Sequence, residues 1–160
     1  MSRVFGIDPG VARLGYGVLD EGPGGRVSVV GFGVIATEPG EVGPRLVRVF
    51  SELEALLAET RPDVSAVEQL FFGQNTTTAL LVSQARGVAL LALARAGVPV
   101  REVTPSQVKQ AVTGWGRADK RQVQAMVARL LSLSAVPEPD DAADALAVAW
   151  SALGTRDRMR

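Results

Sequence analysis

Three stretches near the amino terminus, 3–8, 14–19 and 27–36, carry strand patterning. The first is an apolar run with the β-branched residues Val4 and Ile7, and large and small residues alternate in the second. The joining segments hold Pro9-Gly10 and Gly22-Pro-Gly-Gly25, so the loops are short and consecutive strands should pair antiparallel. The period then changes. Leu46, Val49, Phe50, Leu53, Leu56 and Leu57 share one stripe of a helix predicted from about Pro44 to Thr60, which Pro62 ends. Asp63 to Glu68 reads as a short strand that, after a helical crossover, can rejoin the sheet parallel to a neighbour.

A long helix from Thr76 to Ala96 follows, rich in Ala, Leu and Val around most of its circumference. Such a helix is either deeply buried or shared with another subunit, and both readings stay open. Gly97 stops it, and Val98 to Val103 reads as a strand. Thr104-Pro105 is an N-cap followed by proline at the first helical position. Gly114-Trp-Gly-Arg117 breaks that short helix, and Asp119 caps another from Lys120 to about Leu131. Beyond the connector Pro137-Glu-Pro139, Asp140 reads as the cap of a last helix, Asp141 to about Leu153. The order βββ-α-β-α-β-α-α-α predicts an α/β fold: a five-stranded mixed sheet, three strands antiparallel and two parallel, with helices on both faces. Residues 1–154 are expected to form one domain and 155–160 a flexible tail.

Composition narrows the chemistry more than the fold. The 160 residues include 47% hydrophobic and 21% charged, as a globular chain requires, and neither cysteine nor histidine. Disulfides, thiolate metal sites, cysteine nucleophiles and imidazole bases are therefore excluded. No uncharged apolar run approaches the roughly 18 residues of a membrane span, and no basic-then-apolar leader is seen, so a cytoplasmic location without membrane contact is expected. Net charge is zero. Its distribution is uneven: from Arg86 to Arg129 the bases Arg86, Arg95, Arg101, Lys109, Arg117, Lys120, Arg121 and Arg129 stand against only Glu102 and Asp119.

Four acids stand out. Asp8 and Glu68 each end an apolar strand, and Asp141 and Asp144 lie three residues apart at the start of the last helix. Asp8 could simply accept hydrogen bonds from its Pro-Gly turn, and the helix acids could be ordinary caps. Ala142, Ala143, Ala145 and Ala147, however, let the last helix lie close to the sheet. Four converging carboxylates would repel one another severely without a cation. Oxygen-only ligands favour hard divalent ions, Mg²⁺ first and Mn²⁺ next, and two such ions roughly 4 Å apart serve phosphodiester hydrolysis without an imidazole base.

The motifs Phe5-Gly-Ile-Asp-Pro-Gly10, Gly15-Tyr-Gly17, Val67-Glu-Gln69, Gln84-Ala-Arg-Gly-Val88, Gln107-Val-Lys-Gln110 and Asp141-Ala-Ala-Asp-Ala-Leu-Ala147 occur in this order. In order and spacing the chain resembles the RuvC family of bacterial crossover junction endodeoxyribonucleases from about residue 2 to 152. The resemblance implies a ribonuclease-H-like fold, a homodimer, and metal-dependent, paired symmetric nicking of four-way (Holliday) DNA junctions in recombination and repair, leaving 5′-phosphate and 3′-hydroxyl ends. It also implies cooperation with the RuvA and RuvB branch-migration proteins.

Carried onto this sequence, the family's catalytic and metal-binding acids fall on Asp8, Glu68, Asp141 and Asp144, with Asp8 expected to bridge two ions. Some members carry histidine at the position of Asp141. The resemblance places DNA contacts at Lys109 and Lys120, the chain's two lysines, and an aromatic that stacks on a base near the branch point at Phe71. Arg117 is a weaker candidate. Solvated helix surface remains open for the lysines and a core position for Phe71. Two alternatives are weighed: a nucleotide-binding domain of the actin and sugar-kinase type, which needs two such domains where this length offers one, and a catalytically silent junction-binding module.

Overall fold

The computed structural model describes residues 1–70 and 76–153. Strands β1 (Ser2–Asp8), β2 (Arg13–Glu21) and β3 (Val27–Ala36) are followed by α1 (Val42–Thr60) and β4 (Val64–Glu68). Then come α2 (Thr76–Arg95), β5 (Val100–Val103), α3 (Pro105–Thr113), α4 (Lys120–Leu130) and α5 (Asp140–Ser151). The sheet order is β3-β2-β1-β4-β5. The pairings β1–β2 and β2–β3 are antiparallel, and β1–β4 and β4–β5 are parallel, as the strand spacing predicts. The tail 155–160 and Phe71 lie outside the described residues.

Alternation along the central strands sorts their side chains onto two faces. Phe5, Ile7, Leu14, Val18 and Val67 face Val49, Leu53 and Leu57 of α1 and Ala89, Ala92 and Leu93 of α2. Val4, Leu19, Val64 and Ala66 face a second core built with Val108 and Val112 of α3, Val123 and Val127 of α4 and Leu146 of α5. Helices therefore cover both faces, and each buried Leu or Val contributes roughly 1.5–3 kcal/mol of apolar burial.

The helix ends follow local chemistry. Thr104 and Asp119 each form a reciprocal capping box, with Gln107 and Gln122 respectively. At the last helix the expectation is corrected. Pro139 occupies the N-cap position, and Asp140 is already inside the first turn, where it pairs with Lys120 instead of capping.

Helix α2 divides its surface in a way that composition hides. Ala79, Ala85, Ala89, Ala92 and Leu93 turn inward, whereas Leu80, Leu81 and Leu91 are exposed. Apart from Leu93, the inward residues are small and let the helix sit close to the core, while three leucines are left outside. By length and composition α2 could cross a membrane, unlike any other described helix. Its Arg86 pairs with Glu102 on β5, and it packs along α1, which are features of a helix laid on a folded domain.

Candidate active site

Asp8 ends β1 and Glu68 ends β4, and these strands are parallel neighbours with Ile7 opposite Val67. The two carboxylates therefore leave adjacent strands at the same edge of the sheet. Period-two alternation puts Asp8 on the face of Val4 and Gly6, and Glu68 on the face of Val64 and Ala66. That is the side covered by α5.

Helix α5 reaches this edge because the strand positions directly beneath it, Gly6, Gly15 and Gly17, have no side chains. A Cβ at Gly6 would stand 2.2 Å from the Ala145 carbonyl oxygen, one at Gly15 2.1 Å from the Asp141 carbonyl oxygen, and one at Gly17 2.7 Å from Leu146 Cδ2. Gly15 is the sheet partner of Asp8, so the contact with Asp141 lays the start of α5 directly beside the end of β1. Asp144 follows one turn further along. The alanines of α5 supply only half of this close approach; the alternating glycines of β1 and β2 supply the other half.

Electrostatics report the same convergence. Burial pushes Asp8 up to about 7, and the charges of Asp144, Asp141 and Glu68 push in the same direction. Glu68 is raised by burial and then by Asp144, with Lys109 opposing. Asp144 is also raised by burial, against hydrogen bonding from Lys120. Among the described residues, no turn hydrogen bond satisfies the Asp8 carboxylate; Thr37 braces that turn instead, donating its hydroxyl to Val11 O at 2.6 Å.

Protein cations share the neutralising. Lys120 Nζ lies 2.8 Å from Asp140 Oδ2 and 3.1 Å from Asp144 Oδ2. Gln124, one turn beyond Lys120, donates to Asp144 Oδ1 at 3.4 Å. Arg13 Nε approaches Asp141 Oδ2 at 3.2 Å, yet this charge contact lacks hydrogen-bond geometry, and the buried oxygen has no hydrogen-bond partner among the described residues. Among the described residues no three acids are gathered tightly enough to hold an ion as they stand. The donor set nonetheless fits a hard divalent cation: all oxygen, in excess negative charge, with one buried oxygen unsatisfied.

Of the basic residues singled out in the sequence, Lys120 touches the acid group directly and Lys109 is close enough to favour ionised Glu68. Arg117 is exposed on the turn before α4. Arg86, Arg95 and Arg101 are tied into the fold by Glu102, Glu54 and the Ala152 carbonyl oxygen respectively. Sequence reasoning did not find Arg13, Gln124 or the role of Gly6, Gly15 and Gly17. Arg13 sits just past the Asp8 turn, and Gln124 shares a helical face with Lys120, so spacing held a signal for both.

An antiparallel three-strand meander extended by two parallel strands, with carboxylates at the central strand ends, is the architecture of the ribonuclease-H-like nucleases. The structure of T. thermophilus RuvC in complex with Holliday junction substrate matches with a TM-score of 0.88 at 38% identity, covering 94% of this chain and 92% of that one. The yeast mitochondrial Holliday junction resolvase, at 14% identity and a TM-score of 0.67, shares the fold. A family profile described as Crossover junction endodeoxyribonuclease RuvC matches residues 4–152. Proteins of that name from Chloroflexus aggregans and Heliobacterium modesticaldum are 55% and 56% identical over 148 residues, covering 92% and 91% of this chain and 90% of each relative. The chain belongs to the RuvC family of crossover junction endodeoxyribonucleases.

Proposed function

We propose that this chain resolves four-way DNA junctions by metal-dependent hydrolysis of phosphodiesters, using Asp8, Glu68, Asp141 and Asp144. The observation that carries the reading is the meeting of Asp8 and Glu68 on adjacent strand ends, with α5 brought against them through Gly6 and Gly15. Asp8, the most central of the four, would be shared between two Mg²⁺ ions, with Glu68 and the α5 acids completing the set. Divalent ions held there would supply Lewis acidity for attack of water on a phosphodiester and for stabilising charge on the departing 3′ oxygen. Lys109 and Lys120 flank the acids and would contact phosphate, giving salt-dependent affinity that reads shape more than sequence. Phe71 keeps its proposed role as the base-stacking aromatic beside the branch point.

Two symmetric nicks on opposite strands call for two active sites related by a two-fold axis. A second copy docked along the outward face of α2 would provide this. Leu80, Gln84, Gly87 and Leu91 form an exposed stripe at spacings of four, three and four residues, self-complementary in the way a helix pair requires. Leu80→Glu with Leu91→Glu should give monomers in sedimentation at micromolar concentration. Cooperation with RuvA and RuvB rests on the family resemblance alone.

The decisive experiment incubates the purified protein with a synthetic four-way junction, with and without Mg²⁺ or Mn²⁺. Paired nicks that need the ion are expected. An intact junction under every condition would overturn the reading.

A further inference from the structure

Trp115 is the most exposed aromatic side chain among the described residues, at 55%. It stands on the turn between α3 and α4, outside the acid group. That turn is held firmly. Gly114 adopts φ +78° as the C-cap of α3, and Gln110 Nε2 donates to its carbonyl oxygen at 3.0 Å. The Thr113 hydroxyl accepts from Trp115 N at 3.1 Å, and its one proton faces two carbonyl oxygens, Lys109 O at 2.7 Å and Trp115 O at 3.0 Å. Gly116 packs where a Cβ would meet Ser106 Oγ at 2.9 Å. A large apolar ring presented to water on a braced backbone costs burial energy without serving the core.

The ring borders a shallow groove of about 310 Å³ that also includes Thr113, Gln122, Met126 and Arg129. Gln122, Met126 and Arg129 lie on the face of α4 turned away from Lys120 and Gln124. The groove is therefore separate from the acids, on the far side of the same helix. Its charge is one-sided. Residues 105–131 hold Lys109, Arg117, Lys120, Arg121 and Arg129 against Asp119 alone, in a chain whose net charge is zero. Asp119 accepts from Gln122 N as the helix cap. Arg117, Arg121 and Arg129 are exposed, and among the described residues none of them is in an ion pair.

We propose that the α3–α4 turn is a second DNA contact, in which an unpaired base of the junction stacks on the Trp115 indole while Arg117 and Arg129 hold the adjoining phosphates. A rigid aromatic surrounded by uncompensated guanidinium groups is complementary to a base with its phosphate, since every base offers a π face and every linkage a negative charge. An acidic peptide would satisfy the arginines without needing the flat indole. This contact rests on the reading that the chain binds branched DNA, and it adds a position to that reading without taking part in the chemistry.

The chain's two tryptophans allow a direct test. Trp150 is half-buried, with its indole Nε1 donating to Ala111 O at 3.2 Å, so the variant Trp150→Phe leaves Trp115 as the single emitter. Titrating that variant with a four-way junction in the absence of divalent ions should quench the emission. Trp115→Ala should weaken junction binding in the gel shift roughly tenfold, as expected for losing one base-stacking aromatic, with an unchanged melting temperature, and Trp115→Phe should restore most of the loss. Unchanged emission, or unchanged affinity of Trp115→Ala, while the wild type binds and cuts the junction would overturn this contact and leave the nuclease reading standing. A wild type that neither binds nor cuts would remove both.

Discussion

The two faces of the sheet are made from the same strands and differ in what lies between strand and helix. On the α1/α2 face, Phe5, Ile7, Leu14 and Val18 hold the helices off at full side-chain distance, and the interface is apolar apart from buried Ser65, whose hydroxyl donates to Phe5 O at 2.8 Å. On the α5 face, Gly6, Gly15 and Gly17 let a helix backbone touch the strands, and the side chains at the near edge are Asp8, Glu68, Asp141 and Asp144. One face gains stability from bulk. The other gives up apolar burial at its edge so that acids from three elements can meet, and its raised carboxylates are a destabilising feature that the proposed metal site would account for.

If that contrast is right, mutations on the two faces should separate activity from stability in opposite directions. Asp8→Asn should lower junction cutting by at least about 10³-fold, the scale of losing several kcal/mol of metal-assisted stabilisation. The same variant should melt higher than wild type near neutral pH without divalent ions, because a buried ionised group has been replaced by a neutral one. A lower melting temperature would mean that Asp8 is a structural acceptor.

Gly15→Ala tests the close approach itself. Its Cβ would overlap the Asp141 carbonyl oxygen at 2.1 Å, so α5 must shift away. Cutting should fall by about 10²-fold, the scale of a misplacement near 1 Å, together with a lower melting temperature. On the opposite face, Leu53→Ala should cost about 2–5 kcal/mol in denaturant unfolding. The cutting rate per folded molecule should stay near wild type, since no carboxylate moves.

The smallest effect is in pH. Folding raises Asp8 to about 7 and also raises Glu68 and Asp144, so the folded chain holds protons that the unfolded chain has released. The stability that these three acids contribute to the metal-free protein is fully present below the ordinary carboxylate range, near pH 4. It should decline as pH rises toward about 7 and level off above that. Added Mg²⁺ should raise the melting temperature more at pH 8 than at pH 5. An equal rise at both values would show that the acids do not share the ion.

Much of the fold was legible in order of elements. Strand alternation, the stripe from Val49 to Leu57 and the caps at Thr104 and Asp119 are local signals, and the structure follows them. Asp before a helix is a common N-cap, yet Asp140 lies within the first turn and pairs with Lys120, distant in sequence and near in space. Helix α2 looked uniformly apolar, and no local pattern marks which side its alanines face. The four acids could be picked out singly as strand-end and helix-start residues. Their meeting depended on Gly6 and Gly15, whose absent side chains matter only once α5 lies across them.

Residue types alone exclude imidazole and thiolate ligands, since histidine and cysteine are absent, and the spacing of apolar positions alone predicts the helices and strands of a mixed sheet. Those are properties of residue type and short-range period. The tertiary structure alone decided that Arg13 approaches Asp141, that Lys120 spans Asp140 and Asp144, and that burial holds Asp8 near 7. Charge interaction and desolvation depend on distances between elements far apart in the chain, and only packing sets those distances.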